Sequence, residues 1–250
     1  MLTRIFCVVG LAGLLPATVM AASFTVNPVR VDLAAERPYM VMQITDTDDA
    51  PVTLQARTYR WTESDISHGG GLVSTDDLIL NPPLLTIAPH TTRFLRLGLR
   101  AVNRGVTELS YRLVLQEVPK AVAAGDNGAV LRTIVRMTIP VFAVPTSPAA
   151  SKPDWALQQV GMGKFKLVLT NKGTAHIHLL KLGISPVDQT NALKTLNAPI
   201  YVLPGQSYTW EIESPELTGQ KQVKITGNDD AGKVEATVQA TYPNVAANPN

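Results

Sequence analysis

The stretch VLRTIVRMTIPVFAV, residues 130–144, decides how this chain is read. Its odd positions are Leu131, Thr133, Val135, Met137, Ile139, Val141 and Ala143, almost all apolar. The even positions include Arg132, Arg136 and Thr138. Alternation with a period of two marks a β-strand with one greasy face. A strand crossing a sandwich sheet needs only about five or six residues, and this run is roughly twice as long. An Ala/Gly-rich loop with Gly125, Asp126, Asn127 and Gly128 precedes it. Two readings are open. Either the strand bends and both halves pack internally, or its surplus apolar residues meet something outside their own domain.

Working outward, strand-type alternation fills the chain on both sides. Upstream candidates run over residues 24–33, 39–45, 52–62, 78–87, 93–99 and 109–118. Pro28 suggests an edge or a bulge in the first, and Asn81-Pro82-Pro83 should break the fourth in two. His68-Gly69-Gly70-Gly71 reads as a turn. Short strands separated by turn signals suit an immunoglobulin-like sandwich. Residues 145–153, rich in Pro, Ala and Ser, read as a linker. A second β series follows, with turns at Asn171-Lys172-Gly173 and Leu203-Pro204-Gly205-Gln206. The expectation is an all-β protein of two tandem Ig-like β-sandwich domains. The boundaries expected are 23–146 and 154–246, with 147–153 between them and a frayed tail over 244–250.

The first 22 residues read as an export signal. Arg4 gives a positive start, and residues 5–15 form an apolar run too short to span a bilayer. Pro16 ends the run, and cleavage is expected after Ala21 or Ala22. Cys7, the single cysteine, leaves with that leader, so no thiol or disulfide is expected in the mature chain. A net charge of +2 gives no electrostatic footprint for nucleic acid. With 45% hydrophobic and 17% charged residues, the chain has ample material for buried cores. No segment suggests membrane insertion.

Signals for chemistry are weak. Asp65, Ser67 and His68 are triad residue types, but a triad forms in space and not in a contiguous run. No G-x-S-x-G, P-loop or dinucleotide fingerprint is present. His176 and His178 would share one strand face without an obvious third metal ligand, and an exposed face is the expectation. Asp46, Asp48 and Asp49 are expected in a solvated turn. Trp61, Trp155 and Trp210 are expected in cores or between domains. No catalytic residue, cofactor site or metal site is expected, and the protein reads as a binder and not an enzyme.

The motifs Phe24-Thr-Val-Asn-Pro28-Val-Arg30-Val31, Asn81-Pro-Pro-Leu84, Ile87-Ala-Pro89, Tyr111-Arg-Leu-Val-Leu-Gln-Glu117-Val-Pro119 and Val135 through Pro145 recur in order. Together they resemble the periplasmic pilus chaperones of the chaperone–usher pathway. Arg57-Thr-Tyr-Arg-Trp61 and Ile139-Pro140-Val141-Phe142 look closer to the archaic, spore-coat-type branch. The resemblance implies a fimbrial chaperone in the periplasm, whose partners are pilin subunits and an outer-membrane usher. It implies donor-strand complementation, in which the G1 strand fills the open groove of an incomplete pilin fold. The donating residues would be Leu131, Thr133, Val135, Met137 and Ile139. Four aliphatic groups at about 1.5–3 kcal/mol each would suffice to hold a subunit. The family's basic pair for the subunit carboxylate maps onto Arg30 and Pro140. Proline cannot serve, and Arg112 is the substitute candidate, with Arg136 another. The free protein would self-associate through its apolar G1 edge. A fimbrial subunit or adhesin is the alternative; it would bring one incomplete fold.

Overall fold

The computed structural model describes residues 23–63, 71–119, 133–189, 191–196, 199–230 and 232–242. The expected leader, most of the glycine turn at 68–71, Leu131 and the frayed tail lie outside the described residues. The described residues are almost entirely β, with one 3-10 turn at Pro215–Leu217. None of their helices is long and apolar enough to cross a membrane.

The first ten strands are β1 (Phe24–Asn27), β2 (Val31–Leu33), β3 (Tyr39–Asp46), β4 (Val52–Trp61), β5 (Leu72–Ser74), β6 (Leu78–Asn81), β7 (Leu84–Ile87), β8 (Thr92–Leu99), β9 (Leu109–Glu117) and β10 (Arg136–Ala143). One sheet has the order β1-β3-β8-β6; the other has β2-β10-β9-β4-β5, with β7 also on β4. Two prolines explain how the chain passes between the layers. Pro28 ends β1 in one sheet, and β2 resumes in the other; Pro82 and Pro83 do the same between β6 and β7. A proline lacks the N–H a ladder needs, so pairing stops there and the chain is released to cross. Arg30 therefore lies on a crossover connection and not in a strand.

Inward-facing residues of both sheets close a single apolar cluster that includes Leu33, Met42, Ile44, Leu54, Leu97, Tyr111, Leu113, Ile139 and Val141. One correction concerns Asp46, expected in a solvated turn. It is fully buried, and its carboxylate accepts the backbone N–H of Asp48 at 2.9 Å and of Val52 at 3.2 Å. Satisfying those two donors is what makes its burial tolerable.

The second series is β11 (Pro153–Gly161), β12 (Lys164–Asn171), β13 (Ile177–Pro186), β14 (Lys194–Leu196), β15 (Ile200–Val202), β16 (Ser207–Glu213), β17 (Gln222–Asp229) and β18 (Gly232–Thr241). These form one continuous sheet of order β14-β13-β17-β18-β11-β12-β16, with β15 on β13. A short parallel contact, Leu157 with Ala240 and Gln158 with Thr241, joins its two halves. The sheet folds over a separate core that includes Phe165, Leu167, Leu169, Ile184, Val223 and Ile225. Trp155 and Trp210 stack within this region, centroids 6.1 Å apart. The two cores are distinct, giving the tandem Ig-like arrangement.

The segment between the cores is hydrogen-bonded to the second. Ala150 O accepts from Thr174 N at 2.8 Å, and Lys152 O accepts from Lys172 N at 2.8 Å. Gly173 is required there: a Cβ on it would lie 2.3 Å from Ala150 O. Where the halves of the molecule meet, Trp61, Phe142 and Leu203 form a third cluster, with Leu72 and Tyr201 packed against it.

Candidate binding site

Strand β10 is paired unequally on its two sides. Against β9 it is matched along its whole length, from Arg136 opposite Gln116 to Ala143 opposite Leu109. Against β2 only Val141–Ala143 are matched. Glu117 N donates to Val135 O at 2.9 Å. Hydrogen bonding alternates along an antiparallel ladder, so the odd residues of β10 serve β9 and the even ones face the other way. Val144 N donating to Leu33 O at 2.8 Å agrees with that parity. The backbone groups of Arg136 and Thr138 thus point to an edge with no strand on it among the described residues, while the Pro140 carbonyl faces the start of β2. Pro140 offers that edge no N–H.

Burial changes steadily along the odd face. Thr133 is exposed, Val135 and Met137 are half-buried against the first core, and Ile139 is 1% exposed within it. The regular strand is also shorter than the run of alternation, since it starts at Arg136. Ile139 is committed to its own sandwich. Among the described residues, the accessible part of the row is Thr133, Val135 and Met137.

The opposite face of β10 lines the junction between the two cores. Pro140 lies across the ladder from Arg112, and Phe142 across from Ser110. Phe142 stacks on His176, centroids 3.7 Å apart and planes 9° from parallel. The Arg112 guanidinium lies 3.5 Å above the Trp61 ring and 5.6 Å from that of Tyr201. Arg112 is 9% exposed, and its buried Nε has no hydrogen-bond partner. Burial pushes its pKa down to about 10, with Tyr201 opposing. A buried cation held by rings alone favours any anion that can reach it.

Arg30 approaches the same ring cluster, 5.6 Å from the Phe142 centroid. Its Nε binds both oxygens of Asp32, at 3.1 and 3.2 Å, and its Nη1 pairs with Asp230 of the second core. Burial works to lower its pKa, but the two carboxylates outweigh it and the net shift is upward. Asp230 also meets His178 Nδ1 at 2.9 Å, and His178 stacks on Tyr201 at 4.0 Å. Desolvation works to raise the Asp230 pKa, but His178 and Arg30 pull it below the usual carboxylate range. Arg30 and Arg112 are thereby brought to one aromatic cleft; Arg136 is exposed on β10.

The histidines correct the expectation of an exposed face. His176 Nδ1 lies 2.7 Å from Glu108 Oε1, with the two side chains 9% and 5% exposed. The pair pins the second core to the start of β9. Among the described residues no group of three or more His, Cys, Asp or Glu side chains is placed to hold a metal. Periodicity had no means of finding Glu108 before β9, Tyr201 in the three-residue β15 or Asp230 after β17, which meet only in the folded chain. The Arg112 contact had one local signal, a charge interrupting the apolar run of β9.

The family model for pili and flagellar-assembly chaperones, PapD N-terminal domain, matches residues 23–149, about half of the chain. The chain belongs to that chaperone family. Solved structures agree on the fold. A chain of the CsuC–CsuE chaperone–tip adhesion subunit complex, from archaic chaperone–usher pili of Acinetobacter baumannii, is 21% identical. The likeness covers 89% of this chaperone and 100% of that chain, with a TM-score of 0.62. The E. coli chaperone DraB is 17% identical, covering 89% and 99% of the two chains, with a TM-score of 0.62. A chain of the Salmonella enterica SafA pilin–SafB chaperone complex is 15% identical, covering 88% and 98%, also at 0.62. No curated protein matches this chaperone.

Proposed function

We propose that this chaperone binds a fimbrial subunit by donating the open edge and apolar face of β10, in the archaic branch of the chaperone–usher pathway. The observation carrying the reading is the unequal pairing of β10, which among the described residues leaves Arg136 and Thr138 without a strand partner beside half-buried Val135 and Met137. A guest strand laid there gains main-chain hydrogen bonds and covers those side chains. Leu131 and Thr133 extend the row, and Ile139 anchors it from within. The subunit's terminal carboxylate docks in the cleft at Arg30 and Arg112. The chaperone acts in the periplasm after loss of residues 1–22 and passes its subunit to an outer-membrane usher. Domains 23–146 and 154–246, joined by 147–153, hold the cleft between them. Without a subunit, two copies pair through the same edge.

The branch reading draws support from the archaic complex among the similar structures. Membership of the chaperone family weighs against a fimbrial subunit, and the function is binding without catalysis. Co-expression with a candidate pilin subunit tests the reading. Wild type should yield a soluble one-to-one complex. Val135→Asp combined with Met137→Asp should lower pilin recovery at least about tenfold, the effect of losing roughly 1.4 kcal/mol of contact. Unchanged recovery from a folded double variant removes donor-strand binding.

A further inference from the structure

The guanidinium best placed to hold a subunit carboxylate already holds one. Asp230, from the turn between β17 and β18, reaches 200 residues back along the chain to pair with Arg30. Its second oxygen lies 2.9 Å from His178 Nδ1, and the His178 ring is braced flat against Tyr201. A carboxylate is thus gripped by one cation and one imidazole on a rigid aromatic support. The grip is not sealed: the Asp230 and Asp32 side chains are 38% and 45% exposed. Ion pairs this open to water are weak and exchange readily. Arg112, at the same cleft, has no carboxylate partner among the described residues and an orphaned Nε. Self-contained domain packing does not call for one arginine doubly paired and its neighbour unpaired.

We propose that Asp230 is an internal stand-in for the guest carboxylate, occupying Arg30 and His178 in the free protein and leaving when a guest's carboxylate arrives. The proposal rests on the subunit-binding reading above and adds the second core's His178 and Tyr201 to the carboxylate site. Exchange of one carboxylate for another leaves the charge at Arg30 unchanged. The released element is the turn between β17 and β18, so guest binding loosens this contact between the two cores. Arg112 then gains the anion it lacks.

Propionate, the probe, reports on this exchange without any pilin. The Nε–H resonances of 15N-arginine-labelled protein are followed through a propionate titration, for wild type, Asp230→Asn and Arg30→Gln. Asparagine keeps the shape and a hydrogen-bonding group while removing the competing charge. The half-saturating propionate concentration at Arg30 should fall about three- to tenfold in Asp230→Asn, the effect of deleting one exposed pair. In Arg30→Gln the Arg112 response should weaken. Circular dichroism melting curves check that each variant is folded. An unchanged or higher half-saturation in Asp230→Asn overturns the proposal, as does a wild-type Arg30 signal that propionate never moves. These outcomes are separate from the fate of the donor-strand reading, which stands or falls on Val135 and Met137.

Discussion

Pro140 and Arg112 face each other across the β10–β9 ladder, so the charge sits one strand away from the position onto which the second member of the family's basic pair maps. Proline removes both a cation and an N–H from β10, while Arg112 projects from the adjacent strand onto Trp61. The nearest cation on the sheet thus lies one strand sideways from Pro140, at the same level.

Arg112→Leu should therefore separate binding from stability. Removing a buried donor with no partner recovers about 1–3 kcal/mol, and losing the cation–ring contact costs about 0.5–2 kcal/mol. The thermal midpoint should stay within about 4 °C of wild type. Yield of the pilin complex on co-expression should drop at least about tenfold. A complex formed at wild-type yield would show that this arginine serves only the packing of Trp61.

His176→Ala should loosen the junction between the cores. It leaves the buried Glu108 carboxylate with the backbone N–H of residue 176 alone, at 3.3 Å, and removes the ring stacked on Phe142. Losing one of two donors to a buried carboxylate costs about 1–3 kcal/mol. Urea unfolding should move to lower denaturant, and small-angle scattering should report a larger radius of gyration. Coincidence of both curves with wild type would mean the pair contributes nothing to domain docking.

Tyr111 should give the protein an alkaline limit. Its hydroxyl donates to Asp77 at 3.0 Å, and burial first, then that bond, pushes its pKa up to about 12, with Arg60 opposing. Folding thus favours the protonated phenol. Its stabilisation is complete below the unfolded value near 10 and is lost as pH climbs from 10 toward 12. Melting curves between pH 9 and 11.5 should fall less steeply for Tyr111→Phe than for wild type. Spectrophotometric titration should lose one phenol ionising near 12.

Gly173→Ala tests the docking of residues 147–153. The added carbon meets backbone at 2.3 Å from Ala150 O and 2.5 Å from Lys152 N, so the connecting segment must move. A cost of about 1–3 kcal/mol is expected, a drop of several degrees in melting temperature. Proteolysis within 147–153 should quicken. No change in either would show that the segment adapts freely.

The legible part of the fold lies where a rule acts on neighbours in the chain. Alternation identified β3, β4, β8 and β9, and Asn81-Pro82-Pro83 marked the break between β6 and β7. Asp46 escaped because its burial depends on two N–H groups that a turn folds back toward it. The histidines escaped because Glu108 and Asp230 come from 68 and 52 residues away.

The amino-acid order by itself determined the β character of the chain, its two series of strands, and the long alternating run that ends at Ala143. Those features follow from a two-residue period and from proline's missing N–H, both properties of adjacent residues. Which edge of β10 stays open, and which carboxylate Arg30 holds, was decided only by the tertiary structure. Both depend on where β2 stops pairing and where the β17–β18 turn lands, and such placements come from the packing of whole sheets.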